Sequence, residues 1–271
     1  MPELPEVETT KRGIEPHILG KTIRSVVVHN ASLRWPIPED LASLASGQKI
    51  TSISRRGKYI LMGLASGDWL IWHLGMSGSM RITDPKEAIK AHDHVELIFN
   101  NRLALRFYDP RRFGSLLHSR APYQHKLLAN LGPEPLEAHF NADYLYKRSR
   151  KRSAAIKTFI MDSKVVVGVG NIYANEALFN SHIHPLKAAG KLSKAKYEVF
   201  VGEIKQVLAR AIEQGGTTLK DFVGSDGQPG YFVQQLNVYG RGGQPCVRCN
   251  KPLTEKRLGQ RTTVYCTQCQ K

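Results

Sequence analysis

The chain has 271 residues, 41% of them hydrophobic, which suits one large or two ordinary domains with a real core. Its 39 Lys+Arg against 23 Asp+Glu leave a formal net charge of +16, which calls for a polyanionic partner, most often nucleic acid. A membrane helix is excluded by the lack of any long apolar run, and a secretory signal by Glu3, Glu6 and Glu8 near the start, so the cytoplasm is the expected compartment.

The chain opens Met-Pro-Glu-Leu-Pro-Glu. Removal of the initiator would leave Pro2 as a secondary amine, able to attack an electrophilic carbon and go on to an iminium. An α-amino group with a pKa near about 8 is partly unprotonated at neutral pH. Leu4, Val7, Ile14 and Ile18 share one helical face, with Lys11 in the remaining slot. Pro5 suits a first turn and Glu6 and Glu8 suit the positive helix end, whereas Pro16 should end or bend the helix.

From Lys21 to Ser119 the pattern is β. Lys21–His29, Lys49–Ser54, Lys58–Leu64, Trp69–Leu74, Val95–Phe99 and Leu103–Tyr108 read as short strands, with turn signals at Ser66-Gly67-Asp68 and Asn100-Asn101. Antiparallel strands so spaced form a sandwich or barrel. Arg55, Arg56 and Lys58 around Gly57 suggest either a phosphate clamp or a basic surface patch. His73 ends a strand, where histidine is more often structural. Met76 sits between glycines in Gly75-Met76-Ser77-Gly78, where it would protrude. Asp109-Pro110-Arg111-Arg112-Phe113-Gly114 repeats the device, and apolar side chains beside arginines in turns suit a wedge into a base stack. His92-x-His94 around Asp93 reads as hydrogen-bonded structure rather than a metal pair.

Gly132-Pro133-Glu134-Pro135 is the best linker signal. Beyond it, Ala154–Met161, Tyr173–Asn180 and Leu192–Gln214 have helical spacing. The run Lys147–Arg152 could meet DNA, though such runs are usually solvated. A glycine-rich turn ends at Gly170-Asn171, and the long polar stretch 215–230 suggests a functional loop. Cys246-x-x-Cys249 and Cys266-x-x-Cys269 hold all four cysteines, at the spacing of a tetrahedral zinc site. Four thiolates fill the coordination sphere, so the metal staples a short module and does no chemistry. The excess charge leans the same way: residues 135–271 carry net +11 against +5 for residues 1–134.

Taken together, the Pro2–Glu8 opening, Lys58, His73–Gly78, Asp109–Gly114, Gly168–Tyr173, the 215–232 loop and the cysteine knuckles resemble the bacterial formamidopyrimidine-DNA glycosylase family from end to end. The resemblance implies an α+β protein in three parts. These are an N-terminal β-sandwich with its leading helix (1–134), a helical domain with a helix-two-turns-helix motif and lesion loop (135–237), and a zinc finger (238–271). It implies a monomer that excises 8-oxoguanine and formamidopyrimidines from duplex DNA held in a basic cleft, then cuts the abasic site, with one structural Zn2+ per chain. Pro2 would be the nucleophile, Glu3 the acid/base and Lys58 a catalytic, phosphate-binding lysine. His73, Asn171 and Arg261 would contact DNA, and Met76, Arg111 and Phe113 would fill the gap left by the flipped base. Two alternatives stand beside it: an endonuclease VIII-type enzyme for oxidised pyrimidines, and a non-catalytic zinc-containing DNA-binding protein.

Overall fold

The computed structural model describes residues 2–216 and 235–271. The chain divides into two compact units, one built from residues 2–129 with 214–216, the other from 130–213 with 235–271. The division falls just before the Gly132–Pro135 linker signal, and the cysteine-rich segment belongs to the helical unit.

The first unit begins with α1, Leu4–Ile18. Glu3 is its N-cap in a reciprocal capping box, with Glu6 Oε2 accepting the Glu3 N–H at 2.8 Å. Such a cap contributes about 1 kcal/mol. Leu4, Val7, Ile14 and Ile18 are all buried, as their spacing predicts. Pro16 does not end the helix, which runs two residues further to Ile18.

The helix packs on two antiparallel four-stranded sheets. One has the order β1 (Ile23–Val28), β6 (Asp93–Phe99), β7 (Ala104–Tyr108), β5 (Ser79–Thr83). The other has the order β2 (Ile50–Arg56), β3 (Tyr59–Leu64), β4 (Trp69–His73), β8 (Ser115–Ser119). A short helix α2, Leu41–Ala45, lies between β1 and β2 in sequence. A single apolar cluster draws on both sheets and on α1, with Trp72 meeting Phe107 edge-on at 5.6 Å. This is the expected β-sandwich. The strands β5 and β8 carry no sequence signal strong enough to predict them. Both follow irregular turns, and pairing with β7 and β4 decides them.

The second unit is helical. Its elements are α3 (Ala142–Ser149), α4 (Ile156–Met161), α5 (Asn171–Asn180) and α6 (Lys194–Glu213). The helix α3 takes in the start of the basic run and has no apolar spacing to announce it. Asn141 caps it by accepting the Tyr144 N–H at 2.9 Å, and Leu145 anchors its middle in the core. Two turns over 162–170 join α4 to α5, the helix-two-turns-helix arrangement expected. A hairpin, β9 (Thr254–Leu258) and β10 (Arg261–Tyr265), closes the unit. Among the described residues no helix is long and apolar enough to cross a membrane.

Candidate DNA-processing site

In the sandwich unit, Pro2 and Glu3 are buried at the positive end of α1, Glu3 only 2% exposed. Gly216 lands on the same turn, where a Cβ would lie 3.2 Å from Glu6 Oε1. The expected 215–232 loop thus starts beside the N-terminus, while its residues 217–232 lie outside the described residues. Lys58 stands in the two-residue turn between β2 and β3 rather than at a strand start. Gly57 takes φ +58 there, the left-handed conformation that tight hairpins require.

The three-cation clamp needs correcting at Arg55. Its Nε donates to Glu8 Oε2 at 2.9 Å and its Nη1 to the Gly57 carbonyl at 2.9 Å, so this arginine ties α1 to the hairpin. Burial pushes the Glu8 carboxyl up, but hydrogen bonds from Arg12 and Arg55 outweigh it and hold the pKa below the usual range.

His73 pairs with Tyr59 across β3 and β4, their rings 4.8 Å apart, so the register brings His73 next to Lys58. Burial lowers its pKa to about 4, helped by the charges of Lys58 and Arg34. The ring is therefore neutral at physiological pH. Its Nδ1 accepts the Gly75 N–H at 3.0 Å, which leaves the proton on Nε2 as a donor. Arg34 has no motif to announce it. Its chain position is set by its N–H, which donates to the Gly114 carbonyl at 3.1 Å.

The two turns carrying Met76 and Arg111–Phe113 are one assembly. A Cβ on Gly75 would collide with the backbone of Phe113 and Gly114, so only glycine permits the contact. The fully buried Asp109 clamps them: Oδ1 accepts the Ser77 hydroxyl at 2.7 Å and Oδ2 the Gly114 N–H at 2.7 Å. Ser77 Oγ in turn accepts the Arg111 N–H at 3.3 Å. Phe113 stays 42% exposed, with the Arg111 guanidinium 5.1 Å from its ring centre. The structure thus brings together three residues that the sequence only suggests as a wedge. His94 Nε2 lies 2.8 Å from the Asp109 carbonyl and is structural, as its setting predicts.

In the helical unit the four cysteine sulfurs lie within 4.8 Å of one another. The pairs Cys249–Cys266 and Cys246–Cys269 are 3.5 and 3.9 Å apart. A tetrahedron of Zn–S bonds near 2.3 Å needs about 3.8 Å. Backbone N–H groups of Arg248 and Cys269 point at Cys246 Sγ and Cys266 Sγ, at 3.5 and 3.4 Å, which suits thiolate ligands. The donor set fits one zinc ion.

The cysteine module is bolted to α4 and α5 by polar groups, of which Lys157, Asn175 and Glu176 are buried and carry no sequence signal. Lys157 Nζ donates to the Thr262 carbonyl at 2.9 Å and to Thr263 Oγ1 at 2.7 Å. Asn171 Nδ2 donates to the same Thr262 carbonyl at 3.0 Å. Asn175 Oδ1 accepts the Val264 N–H at 3.0 Å, and Glu176 accepts the N–H groups of Asn237, Val238 and Tyr239 at 2.8 to 2.9 Å. Arg261 begins β10 just after a turn in which Gly259 and Gln260 both take positive φ. Asn171 and Arg261 are thus brought to one place.

Models of three family domains match in order: the formamidopyrimidine-DNA glycosylase N-terminal domain over residues 1–116, its H2TH domain over 131–223, and a zinc finger found in FPG and IleRS over 243–271. The chain belongs to the formamidopyrimidine-DNA glycosylase family. Formamidopyrimidine-DNA glycosylases of Saccharophagus degradans and Teredinibacter turnerae are 65% and 60% identical, each alignment covering 100% of both chains. Among solved glycosylase structures, MutM from Thermus thermophilus superposes with a TM-score of 0.89 at 38% identity, covering 99% of this chain and 98% of that one. The Lactococcus lactis enzyme bound to DNA containing N7-benzyl-Fapy-dG gives 0.92 at 32% identity, covering 99% of each chain.

Proposed function

We propose that this family member is a bifunctional DNA glycosylase and abasic-site lyase that excises oxidised purines from duplex DNA. The observation that carries the reading is the Pro2-Glu3 pair, buried at the capped start of α1 and present in a chain aligned end to end with its relatives. Loss of Met1 gives Pro2 a secondary amine. Its nitrogen attacks C1′ of the damaged nucleotide as the glycosidic bond breaks and the base leaves with a proton. The ring-opened sugar is then an iminium on Pro2. Glu3 supplies the proton for ring opening and accepts protons afterwards. The iminium acidifies C2′–H, so loss of that proton expels the 3′ phosphate, and a second elimination expels the 5′ phosphate.

Lys58 and the neutral His73 Nε2–H hold the phosphates near the lesion, and Asn171 and Arg261 bind the backbone. Met76, Arg111 and Phe113 take the space of the extruded base. Zinc, bound by Cys246, Cys249, Cys266 and Cys269, fixes the Arg261 hairpin and has no part in catalysis. The cytoplasm, where thiols stay reduced, is the compartment for such a protein.

Borohydride trapping on a duplex with 8-oxoguanine opposite cytosine tests this. A covalent band is expected, and Pro2→Gly should lose most of it with binding preserved. No band from the wild-type protein would falsify the lyase reading. Faster cutting of thymine glycol than of 8-oxoguanine would favour the oxidised-pyrimidine enzyme instead.

A further inference from the structure

The helical unit contains a cavity of about 670 Å³ between the end of α3, the first turn after α4 and the β9–β10 turn. Four cations line it, Arg148, Arg152, Lys164 and Arg261, against a single acid, Asp162. Asp162 is already engaged, since its Oδ1 accepts the Lys164 N–H at 2.9 Å. The cations are carried on fixed backbone. Arg148 Nη2 donates to the Lys164 carbonyl at 2.9 Å, tying α3 to the turn. The Arg152 carbonyl accepts the Gly190 N–H at 2.9 Å, with no room there for a larger residue. Arg261 is set by the turn at Gly259-Gln260 and by the two donors on Thr262.

Like charges converging on a concave surface repel one another unless an anion enters. Arg148 and Arg152 belong to the basic run 147–152, which nothing in the reaction uses. The same run does not behave as one solvated patch: Arg150 is folded over Tyr146, 4.0 Å from its ring centre, and donates to the Leu192 carbonyl. Its neighbours Arg148 and Arg152 are the ones left at the cavity.

We propose, resting on the reading above, that this cavity binds the phosphodiester backbone of the duplex beyond the lesion, with Arg148, Arg152 and Lys164 as its contacts. The cavity is larger than a single phosphate needs, and Arg261 at its rim already belongs to the proposed DNA contacts. A strand held by Arg261 would continue across the cavity. With arginine and lysine at the rim and Phe159 and Val165 behind, the contact would be indifferent to sequence.

The test uses the full chain and the double variant Arg152→Gln/Lys164→Gln, which spares the Arg148 tether. Binding to a long undamaged duplex reads the cavity independently of catalysis. Borohydride trapping by the wild type reads the glycosylase assignment, so the two can fail separately. The expected result is about ten-fold weaker binding and a slope of log Kd against log salt smaller by about 2, for two lost phosphate contacts. Duplexes trimmed stepwise from each end should bring wild-type affinity down to that of the variant at one end only, with the variant indifferent to that trim. A control variant, Lys86→Gln/Lys196→Gln, removes two cations elsewhere. Equal losses in the control, or unchanged affinity and slope in the double variant, would overturn the proposal. So would loss of binding to a polyglutamate peptide with duplex binding intact, which would assign the cavity to an acidic protein segment.

Discussion

The sandwich unit and the cysteine module both present exposed side chains on turns, and they fix those turns by different means. The Met76 and Arg111–Phe113 turns grow from strands of a large core, and one buried carboxylate, Asp109, locks them together. The Arg261 turn grows from a two-stranded hairpin whose local core holds few apolar residues, Val238, Leu253 and Val264 with Phe179 from α5 and the cysteines themselves. A two-stranded hairpin is marginal alone, so a metal and a set of buried hydrogen bonds do what apolar burial does in the sandwich. Precision at a turn therefore needs a rigid base, and the chemistry of the base follows from how much core lies beneath it.

The strongest way to break this comparison is to remove the metal. Chelation, or Cys249→Ser, should cost at least about 100-fold in duplex affinity while leaving the sandwich folded, because metal binding is the folding energy of such a module. Fluorescence anisotropy with zinc analysis checks this, and full affinity in a zinc-free protein would refute the stapling role. Next comes the carboxylate clamp. Asp109→Ala orphans the buried Ser77 hydroxyl and Gly114 N–H and should cost about 2–4 kcal/mol by denaturant unfolding. Asp109→Asn keeps an acceptor and should cost less; an equal loss in both would show that the acceptor geometry does not matter.

His73 gives a pH signature within the sandwich. Its pKa is about 4 in the fold, against an ordinary value of 6.5. Between those values the unfolded chain binds the extra proton, so stability falls as pH drops from 6.5 towards 4 and rises again with pH. His73→Gln should flatten that part of the stability curve. The smallest effect sharpens the division of labour among the cations: Arg55→Gln should lower stability by about 1 kcal/mol, since it breaks a half-screened link to Glu8. It should leave the salt slope of duplex binding unchanged, whereas Lys58→Gln should lower that slope by about 1.

Local chemistry announces some of this plainly. The face of α1, the strands β3 and β4 and the two cysteine knuckles follow from spacing alone, because periodicity and metal-ligand geometry act over a few residues. Arg34, Lys157 and Glu176 announce nothing. Each is an ordinary charged residue whose role exists only because a distant segment arrives beside it: the Gly114 carbonyl, the Thr262 carbonyl and the 237–239 backbone. Arg55 misleads for the same reason, since its partner Glu8 lies 47 residues away.

By itself the sequence determined the family, the order of its parts and the zinc ligands, since these are set by residue type and short spacing. The tertiary structure decided which cations face outward and which are spent on internal pairs. It also joined two turns more than thirty residues apart through Asp109, and it converged Arg148, Arg152 and Lys164 with Arg261 on one cavity. Those outcomes depend on long-range burial, where a polar group must find its partner or lose the free energy of its water, and no local pattern records which partner it finds.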